Sequence, residues 1–152
     1  MTLTTDRIAR TITLRAKRSR IWRALTTPQE FGAWFGVAMD AEVFAPGARV
    51  TGKITAPGYE HLALEMVIER MEPERLFSYR WHPYAVEPGV DYSAEPSTLV
   101  EFVLADADDG TELKVTESGF DKIPVARRDV AFRMNDQGWG AQLRNIERYV
   151  AK

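Results

Sequence analysis

The sequence predicts one α+β domain in which an antiparallel sheet packs against a long C-terminal helix. Two observations lead to this fold class. Residues 38–117 alternate between apolar and polar side chains, which is typical of antiparallel strands with one covered face. Residues 125–150 instead carry apolar side chains at helical spacing, and the sheet is the available partner for that apolar face. The length fits a single domain over residues 1–152.

The chain opens with one predicted strand and two short predicted helices. "RIARTITLRA" (7–16) alternates like a strand, and "KRSRIWRALT" (17–26) places its apolar side chains at helical spacing. "TPQEFGAWFG" (27–36) begins with Thr27 as a candidate N-cap. Glu30 stands three residues later and completes a capping-box pattern. The second helix is therefore expected to begin directly after Thr27.

Six strand-like segments follow, separated by turn residues. They cover residues 38–44, 49–55, 62–71, 75–81, 97–105 and 111–117. Pro73 marks a turn before the fourth segment, and Asp109–Gly110 is a strong hairpin signal between the last two. Residues 82–97 contain three prolines and show no periodicity, so they form the longest predicted loop.

The last segment predicts a long amphipathic helix. Its apolar face carries Val125, Phe132, Trp139, Leu143, Ile146 and Val150. Its opposite face carries Arg127, Gln142, Asn145 and Arg148. Trp139 stands between Gly138 and Gly140, although a glycine inside a helix costs roughly 0.5–1 kcal/mol relative to alanine. The two glycines therefore predict a bend or a close approach where Trp139 points inward, either filling the core or also lining a cavity.

Composition excludes several kinds of site. The chain has no cysteine, so disulfides and thiolate chemistry are excluded, and its two histidines, His61 and His82, do not form a metal-ligand cluster. No glycine-rich phosphate loop opens a helix, so no nucleotide cofactor is expected. A net charge of −2 does not favour nucleic acid, and no apolar run approaches the ~20 residues of a membrane span. We expect a cytoplasmic protein.

Four sequence segments resemble those of a known superfamily. They are "RSRIWRALTTPQEFGAWFG" (18–36), "PERLFSYRW" (73–81), "GTELKVTESGF" (110–120) and "GWGAQLRNIERYV" (138–150). Together they resemble the START-like, or SRPBCC, superfamily, in the branch related to the C-terminal domain of the heat-shock-protein-90 ATPase activator. The resemblance implies a helix-grip fold, in which a curved sheet of six to seven strands surrounds the long helix. It also implies a hydrophobic cavity between the sheet and that helix.

Glu117 is the polar residue whose position is most informative. It shares one side of its predicted strand with Leu113 and Val115, so it is expected to face inward, near the mouth of the cavity and the C-terminal helix. Two interpretations stay open. Glu117 either lies at a frayed strand end in water, or it orients a polar group of a ligand or acts as an acid or base in the cavity.

The favoured function is non-catalytic binding of a small hydrophobic or amphipathic molecule in that cavity. The predicted ligand-binding residues are Trp34, Tyr79, Trp81, Tyr92, Phe102, Glu117, Met134, Trp139 and Leu143. Core packing explains the same aromatic residues without a ligand. No catalytic residue, metal ligand or cofactor is predicted, and a homodimer is compatible with the sequence.

Two alternative functions stay open. The first is a protein-interaction module that resembles the chaperone activator and binds a protein partner through Lys17, Arg18 and Arg20. These three residues equally fit the solvated face of the first helix. The second alternative is a cavity enzyme of the cyclase or hydrolase kind.

Overall fold

The computed structural model describes residues 6–83, 92 and 94–151. The elements are β1 (Arg7–Leu14), α1 (Arg18–Thr26), α2 (Pro28–Phe35), β2 (Val37–Met39), β3 (Arg49–Ile54), β4 (Ala63–Glu72), β5 (Leu76–Trp81), β6 (Thr98–Ala107), β7 (Gly110–Ser118), a 3-10 turn (Phe120–Lys122) and α3 (Val125–Val150). This order confirms the predicted helix-grip architecture. The predicted strand 38–44 is wrong in extent, because β2 ends at Met39 and residues 40–48 form no regular element.

The described strands form one antiparallel sheet in the order β1-β7-β6-β5-β4-β3-β2. β1 and β2 lie at opposite edges, so α1 and α2 carry the chain from one edge of the sheet to the other. β4 is irregular between Ile68 and Arg70, where its register against β5 shifts. A bulge of this kind bends a strand and increases its twist, which contributes to the curvature that lets the sheet surround a helix.

The hairpin between β6 and β7 confirms the predicted turn. Ala107 pairs with Gly110, which leaves two residues, Asp108 and Asp109, as the connection. Gly110 has a φ of 157°, and a Cβ atom there would clash with the carbonyl oxygen of Leu14 in β1. This glycine therefore permits β1 to approach the hairpin closely.

One face of the sheet and one side of α3 form the core. The buried residues of α3 are Ala131, Trp139, Leu143 and Ile146. The predicted apolar face was wrong at its start, since Val125 is 78% exposed and Ala131 takes the buried position. The first predicted positions follow a seven-residue spacing, which drifts by ~20° per repeat on an α-helix, so the early positions rotate away from the core.

The predicted polar face of α3 was also wrong for two residues. The Gln142 side chain donates a hydrogen bond from Nε2 to the Phe35 carbonyl oxygen over 2.9 Å, so it faces α2. Arg127 is half-buried and forms a bidentate pair with Glu95, with Nη2 2.8 Å from Oε1 and Nε 3.1 Å from Oε2. Tertiary neighbours, not the helical period, decide where these two side chains lie.

Glu30 connects the three helices. Thr27 is the N-cap of α2 and Pro28 its first residue, but the Thr27 side chain makes no capping hydrogen bond, so the predicted capping box is wrong. The Glu30 carboxylate accepts hydrogen bonds from Arg20 Nη1 at 2.7 Å and from the Tyr149 hydroxyl at 3.0 Å. It also pairs with Arg23 Nε at 3.2 Å. These partners explain why the carboxylate turns away from the α2 backbone.

This network predicts a pH-dependent contribution to stability. Burial alone would raise the pKa of Glu30, but the hydrogen bonds from Arg20 and Tyr149 and the charges of Arg20 and Arg23 lower it below its ordinary value. A lowered folded-state pKa contributes stability above the unfolded-state pKa, which is lost as the pH falls through the folded-state value. We expect Glu30→Gln to lower the free energy of unfolding by about 1 kcal/mol at neutral pH.

Urea denaturation of both proteins at neutral pH and near pH 3 measures this difference, which should be smaller at the lower pH. Glu65→Gln is the control, since the pair of Glu65 with Arg49 is exposed and such pairs contribute about 0–1 kcal/mol. An equal loss in Glu30→Gln at both pH values would contradict the assignment.

Candidate functional site

A fully buried carboxylate, Glu117, lies between the sheet and α3. Its side chain is 0% exposed. In the sheet it stands opposite Ile8 of β1 and Val100 of β6, both of which are also buried. The interpretation that placed Glu117 at a frayed strand end in water is therefore wrong, because β7 continues to Ser118 with a paired strand on each side.

Four side chains donate hydrogen bonds to this carboxylate. Trp81 Nε1 and Thr98 Oγ1 lie 2.7 and 2.6 Å from Oε2. Trp139 Nε1 lies 2.8 Å from Oε1, and Asn135 Nδ2 lies 2.9 Å from Oε1 and 3.1 Å from Oε2. An indole N–H can only donate, so the Glu117 oxygens act here as hydrogen-bond acceptors. Burial of a charge is expensive unless hydrogen bonds compensate it, and these donors supply that compensation.

All four donors are uncharged. Over the ranges 6–83 and 94–151, no salt bridge involves Glu117. The site therefore combines a buried acceptor with neutral donors from β5, β6 and α3. It differs from an ion pair, since no positive charge is brought to the carboxylate.

The two indoles that bind Glu117 also shape a surface cleft. The Trp81 and Trp139 rings stack at 28° with centroids 5.7 Å apart. Phe35 packs edge-on against both, with centroid distances of 5.9 and 6.2 Å. These rings border a cleft of about 150 Å³, which we call the Trp81–Trp139 cleft. Its lining residues are Phe35, Trp81, Met134, Asn135, Gly138, Trp139 and Gln142.

The two glycines beside Trp139 have different surroundings. A Cβ atom at Gly140 would lie 3.2 Å from Nη1 of Arg10, so this glycine permits the close approach that the sequence predicted. Arg10 in turn pairs with Asp136 at 3.1 Å, which ties β1 to α3. A Cβ atom at Gly138 would meet nothing within 4 Å. Packing therefore does not require a glycine at Gly138, which lines the cleft.

The predicted ligand-binding residues separate into groups. Trp81, Met134 and Trp139 line the cleft, and Glu117 lies behind two of its rings. The others do not line it. Trp34, Tyr79, Phe102 and Leu143 are core residues with at most 6% exposure, and Tyr92 lies against Arg127, 4.7 Å from its guanidinium carbon.

Aromatic packing explains why the core residues lie away from the cleft. Tyr79 packs against Trp81 at 5.2 Å and Phe102 against Trp139 at 5.6 Å. These inner rings fill the concave face and support the lining rings from behind. The predicted ligand-binding residues did not include four residues that also line the cleft, Phe35, Asn135, Gly138 and Gln142. For Asn135 and Gln142, the helical spacing from Trp139 was a usable signal, since positions three and four residues apart are neighbours on a helix.

Tyr79 carries a buried hydroxyl behind the cleft. Among the described residues, this hydroxyl has no hydrogen-bond partner. Burial, and to a smaller extent the charge of Glu117, raises the pKa of Tyr79 well above its ordinary value. A negative charge on Glu117 therefore disfavours ionisation of the Tyr79 hydroxyl.

The basic N-terminal surface is partly neutralised by the protein's own acids. Arg18 Nε lies 2.9 Å from Asp106, and Arg20 pairs with Glu30. Lys17 is exposed. Of the three cations expected at a protein contact, Arg18 and Arg20 therefore already have acidic partners within the protein.

Two other kinds of site find no support in the part of the chain that the structure describes. No group of three or more His, Cys, Asp or Glu side chains there could hold a metal ion. None of the helices there is long and apolar enough to cross a membrane.

Comparisons with known proteins identify the family and the fold. The family model described as Activator of Hsp90 ATPase homolog 1-like protein matches residues 15–151. A structure from Mesorhizobium loti is 23% identical, with a TM-score of 0.74 over 95% of this chain and 96% of that chain. A structure from Arthrobacter aurescens has a TM-score of 0.80 at 12% identity, over 99% and 90% of the two chains.

A protein of the dynemicin biosynthetic locus is 19% identical with a TM-score of 0.74. The match covers 97% of this chain but 48% of that protein, so this chain spans about half of its length. No curated protein matches the sequence. At these identities the structural likeness shows the fold alone, and it confirms the predicted START-like architecture.

The unpartnered hydroxyl of Tyr79 leads to a stability prediction. We expect Tyr79→Phe to match the native protein or to gain up to about 1 kcal/mol at neutral pH, because the change removes a buried group that lacks a hydrogen bond. A raised folded-state pKa means that the stabilisation is present below the unfolded-state value of about 10 and is lost as the pH rises above it. The advantage of the variant should therefore grow above pH ~10.

Urea denaturation at neutral pH and near pH 10.5 measures both effects. Tyr149→Phe is the matched control, since it removes a hydroxyl that donates to Glu30 and should cost about 0.5–1.5 kcal/mol. A clear loss of stability in Tyr79→Phe at neutral pH would show that the hydroxyl has a partner after all.

Proposed function

This chain belongs to the family described as Activator of Hsp90 ATPase homolog 1-like protein, and we propose that it is a binding module whose Trp81–Trp139 cleft takes a small apolar or amphipathic molecule. The observation that carries the proposal is the cleft itself. Three aromatic rings and the Met134 side chain provide apolar contact area, and two amide side chains border it. Ligand sites commonly combine apolar walls with a few polar groups in this way.

The volume of the cleft limits the size of the ligand. About 150 Å³ is below the ~300–1,000 Å³ of sites that enclose a drug-sized molecule. A cavity of about this size takes one benzene ring. The proposed ligand is therefore a molecule of about one ring, or a longer molecule that inserts one end group.

The cleft wall is held in place before any ligand arrives. Trp81 and Trp139 are anchored through their indole N–H groups to Glu117. Gln142 donates to the Phe35 carbonyl oxygen, and its own Oε1 accepts from Asn145 Nδ2 at 3.1 Å. A wall whose side chains are already ordered loses little conformational entropy on binding, which favours affinity.

The position of Glu117 favours binding over acid–base catalysis. A general acid or base must come within hydrogen-bond reach of the reacting group. Glu117 is 0% exposed and does not line the cleft, because Trp81, Asn135 and Trp139 stand between them. The carboxylate is therefore assigned to holding the wall and not to chemistry on a bound molecule.

The family description favours a second candidate function, activation of an Hsp90-type chaperone through protein contact. Lys17, the exposed residue that precedes α1, and Arg18, the half-buried first residue of α1, are the proposed contact. We expect the purified protein to raise the ATPase rate of such a chaperone, and Lys17→Glu with Arg18→Glu to abolish the effect. Arg15→Glu is the neighbouring control, and an unchanged ATPase rate with the native protein would reject this function.

Gly138 provides the sharpest test of ligand binding in the cleft. Because a Cβ atom there meets nothing within 4 Å, Gly138→Leu should fold and retain or raise the free energy of unfolding by about 0.5–1 kcal/mol. The leucine side chain should block the cleft. We expect the native protein to show a thermal shift with members of a panel of one-ring aromatics and short amphiphiles, and the variant to show none.

Ala141→Leu is the matched control, since it places the same side chain on an exposed position of α3 that does not line the cleft. It should bind like the native protein. Native mass spectrometry of the freshly purified protein adds a search for a molecule retained from the cell. Equal binding by Gly138→Leu and the native protein would remove the cleft from the proposed function.

A further inference from the structure

We propose that the Trp81–Trp139 cleft selects a ligand with a positively charged, alkyl-substituted ammonium group. This inference rests on the proposed function, since it names the chemical class of the molecule that the same cleft would bind. It follows from the charge behind the cleft wall and from the kind of surface that the wall presents.

The first argument is electrostatic. Both oxygens of Glu117 accept hydrogen bonds from neutral donors, which is the pattern of an ionised, acceptor-only carboxylate. None of the residues that line the cleft is charged. Neutral donors spread the charge but do not cancel it. Because the carboxylate is fully buried, its field is screened less than that of a surface charge. A cation in the cleft would therefore be attracted, and an anion repelled.

The second argument concerns the rings themselves. A cation near the face of an aromatic ring is attracted by the ring's quadrupole, and tryptophan gives the strongest effect. Both cleft indoles donate their N–H to the carboxylate, at 2.7 and 2.8 Å. Hydrogen bonding to a charged acceptor polarises the donor and moves electron density into the ring. Trp81 and Trp139 are therefore better cation acceptors than isolated indoles.

The third argument selects the type of cation. A bare ammonium or a metal ion needs oxygen ligands or hydrogen-bond acceptors. The Glu117 oxygens already accept from four side chains, and Gln142 Oε1 accepts from Asn145. The cleft mainly offers ring surfaces and the thioether of Met134. An ammonium whose hydrogens are replaced by alkyl groups suits such a surface, since it carries charge without needing acceptors.

Charged residues on the same helix do not offset the field of Glu117. Asp136 pairs with Arg10, and Arg127 pairs with Glu95. Arg133 is exposed and does not line the cleft. None of these side chains lines the cleft, whereas Glu117 accepts hydrogen bonds from three residues of its wall.

A pair of isosteric probes tests the inference. Benzyltrimethylammonium and neopentylbenzene have the same shape, but the first has a charged nitrogen where the second has a neutral carbon. Dissociation constants are measured by tryptophan fluorescence on the native protein. We expect the cation to bind at least about tenfold more tightly than the neutral isostere. Benzylsulfonate, an anion of similar size, should bind more weakly than both.

Two variants connect the preference to Glu117. Glu117→Gln keeps the size of the side chain and removes the charge, so the preference for the cation should fall to about twofold or less. Glu101→Gln removes the same charge from the neighbouring strand β6 and should keep the preference, because Glu101 does not line the cleft or bind its tryptophans. Circular dichroism and thermal unfolding of both variants establish that they are folded.

The outcomes separate the two proposals. Neutral binding equal to or tighter than cation binding, in the native protein, would overturn the inference and leave the proposed function standing. Failure of all three probes to bind would reject the proposed function and the inference with it. A tenfold preference that persists in Glu117→Gln would also overturn the inference, since the selectivity would then have another source. The dissociation constants of the three probes on the native protein test the inference even if Glu117→Gln does not fold.

Discussion

The buried carboxylate of Glu117 is the constraint on which the rest of the site depends. A charge without a cationic partner can stay inside a protein only if hydrogen-bond donors surround it. Here the donors come from three elements, with Trp81 on β5, Thr98 on β6, and Asn135 and Trp139 on α3. Each donor supplies part of the compensation for the buried carboxylate, so the loss of any one would weaken it. The position of α3 over the sheet is therefore specified by polar geometry as well as by apolar burial.

The same hydrogen bonds determine the shape of the cleft. Each indole directs its N–H toward Glu117. Its ring therefore lies at the interface between the sheet and α3, where Trp81 stacks on Trp139. Tyr79 and Phe102 then fill the space behind these rings. Because these rings fill the interior, the cleft is small and lies at the edge of the interface between the sheet and α3. Stability and the proposed binding thus depend on one cluster, in which the inner rings support the outer ones.

The opposite end of α3 is held by different means. Tyr149 in its last turn donates to Glu30 on α2, which also pairs with Arg20 and Arg23 on α1. This ion-pair network, partly exposed to water, connects α1, α2 and the end of α3. The related structures share the fold at identities of 12–23%. A scaffold of this kind can keep its fold while the residues that line a cleft change, and so ligand choice need not follow the fold.

The sequence by itself determined the architecture of this protein, because local periodicity and turn chemistry are properties of neighbouring residues. Alternation predicted the strands, the Asp109–Gly110 signal predicted the hairpin, and Leu113, Val115 and Glu117 were correctly placed on one face. Only the tertiary structure decided what that face does. The capping box at Thr27 failed since Arg20 and Tyr149, distant in sequence, compete for Glu30. The donors of Glu117 lie 18 to 36 residues away along the chain, and no local pattern reports such a distance. Whether a tryptophan is buried in the core or lines the cleft likewise depends on which rings pack behind it. Only the three-dimensional packing determines those neighbours.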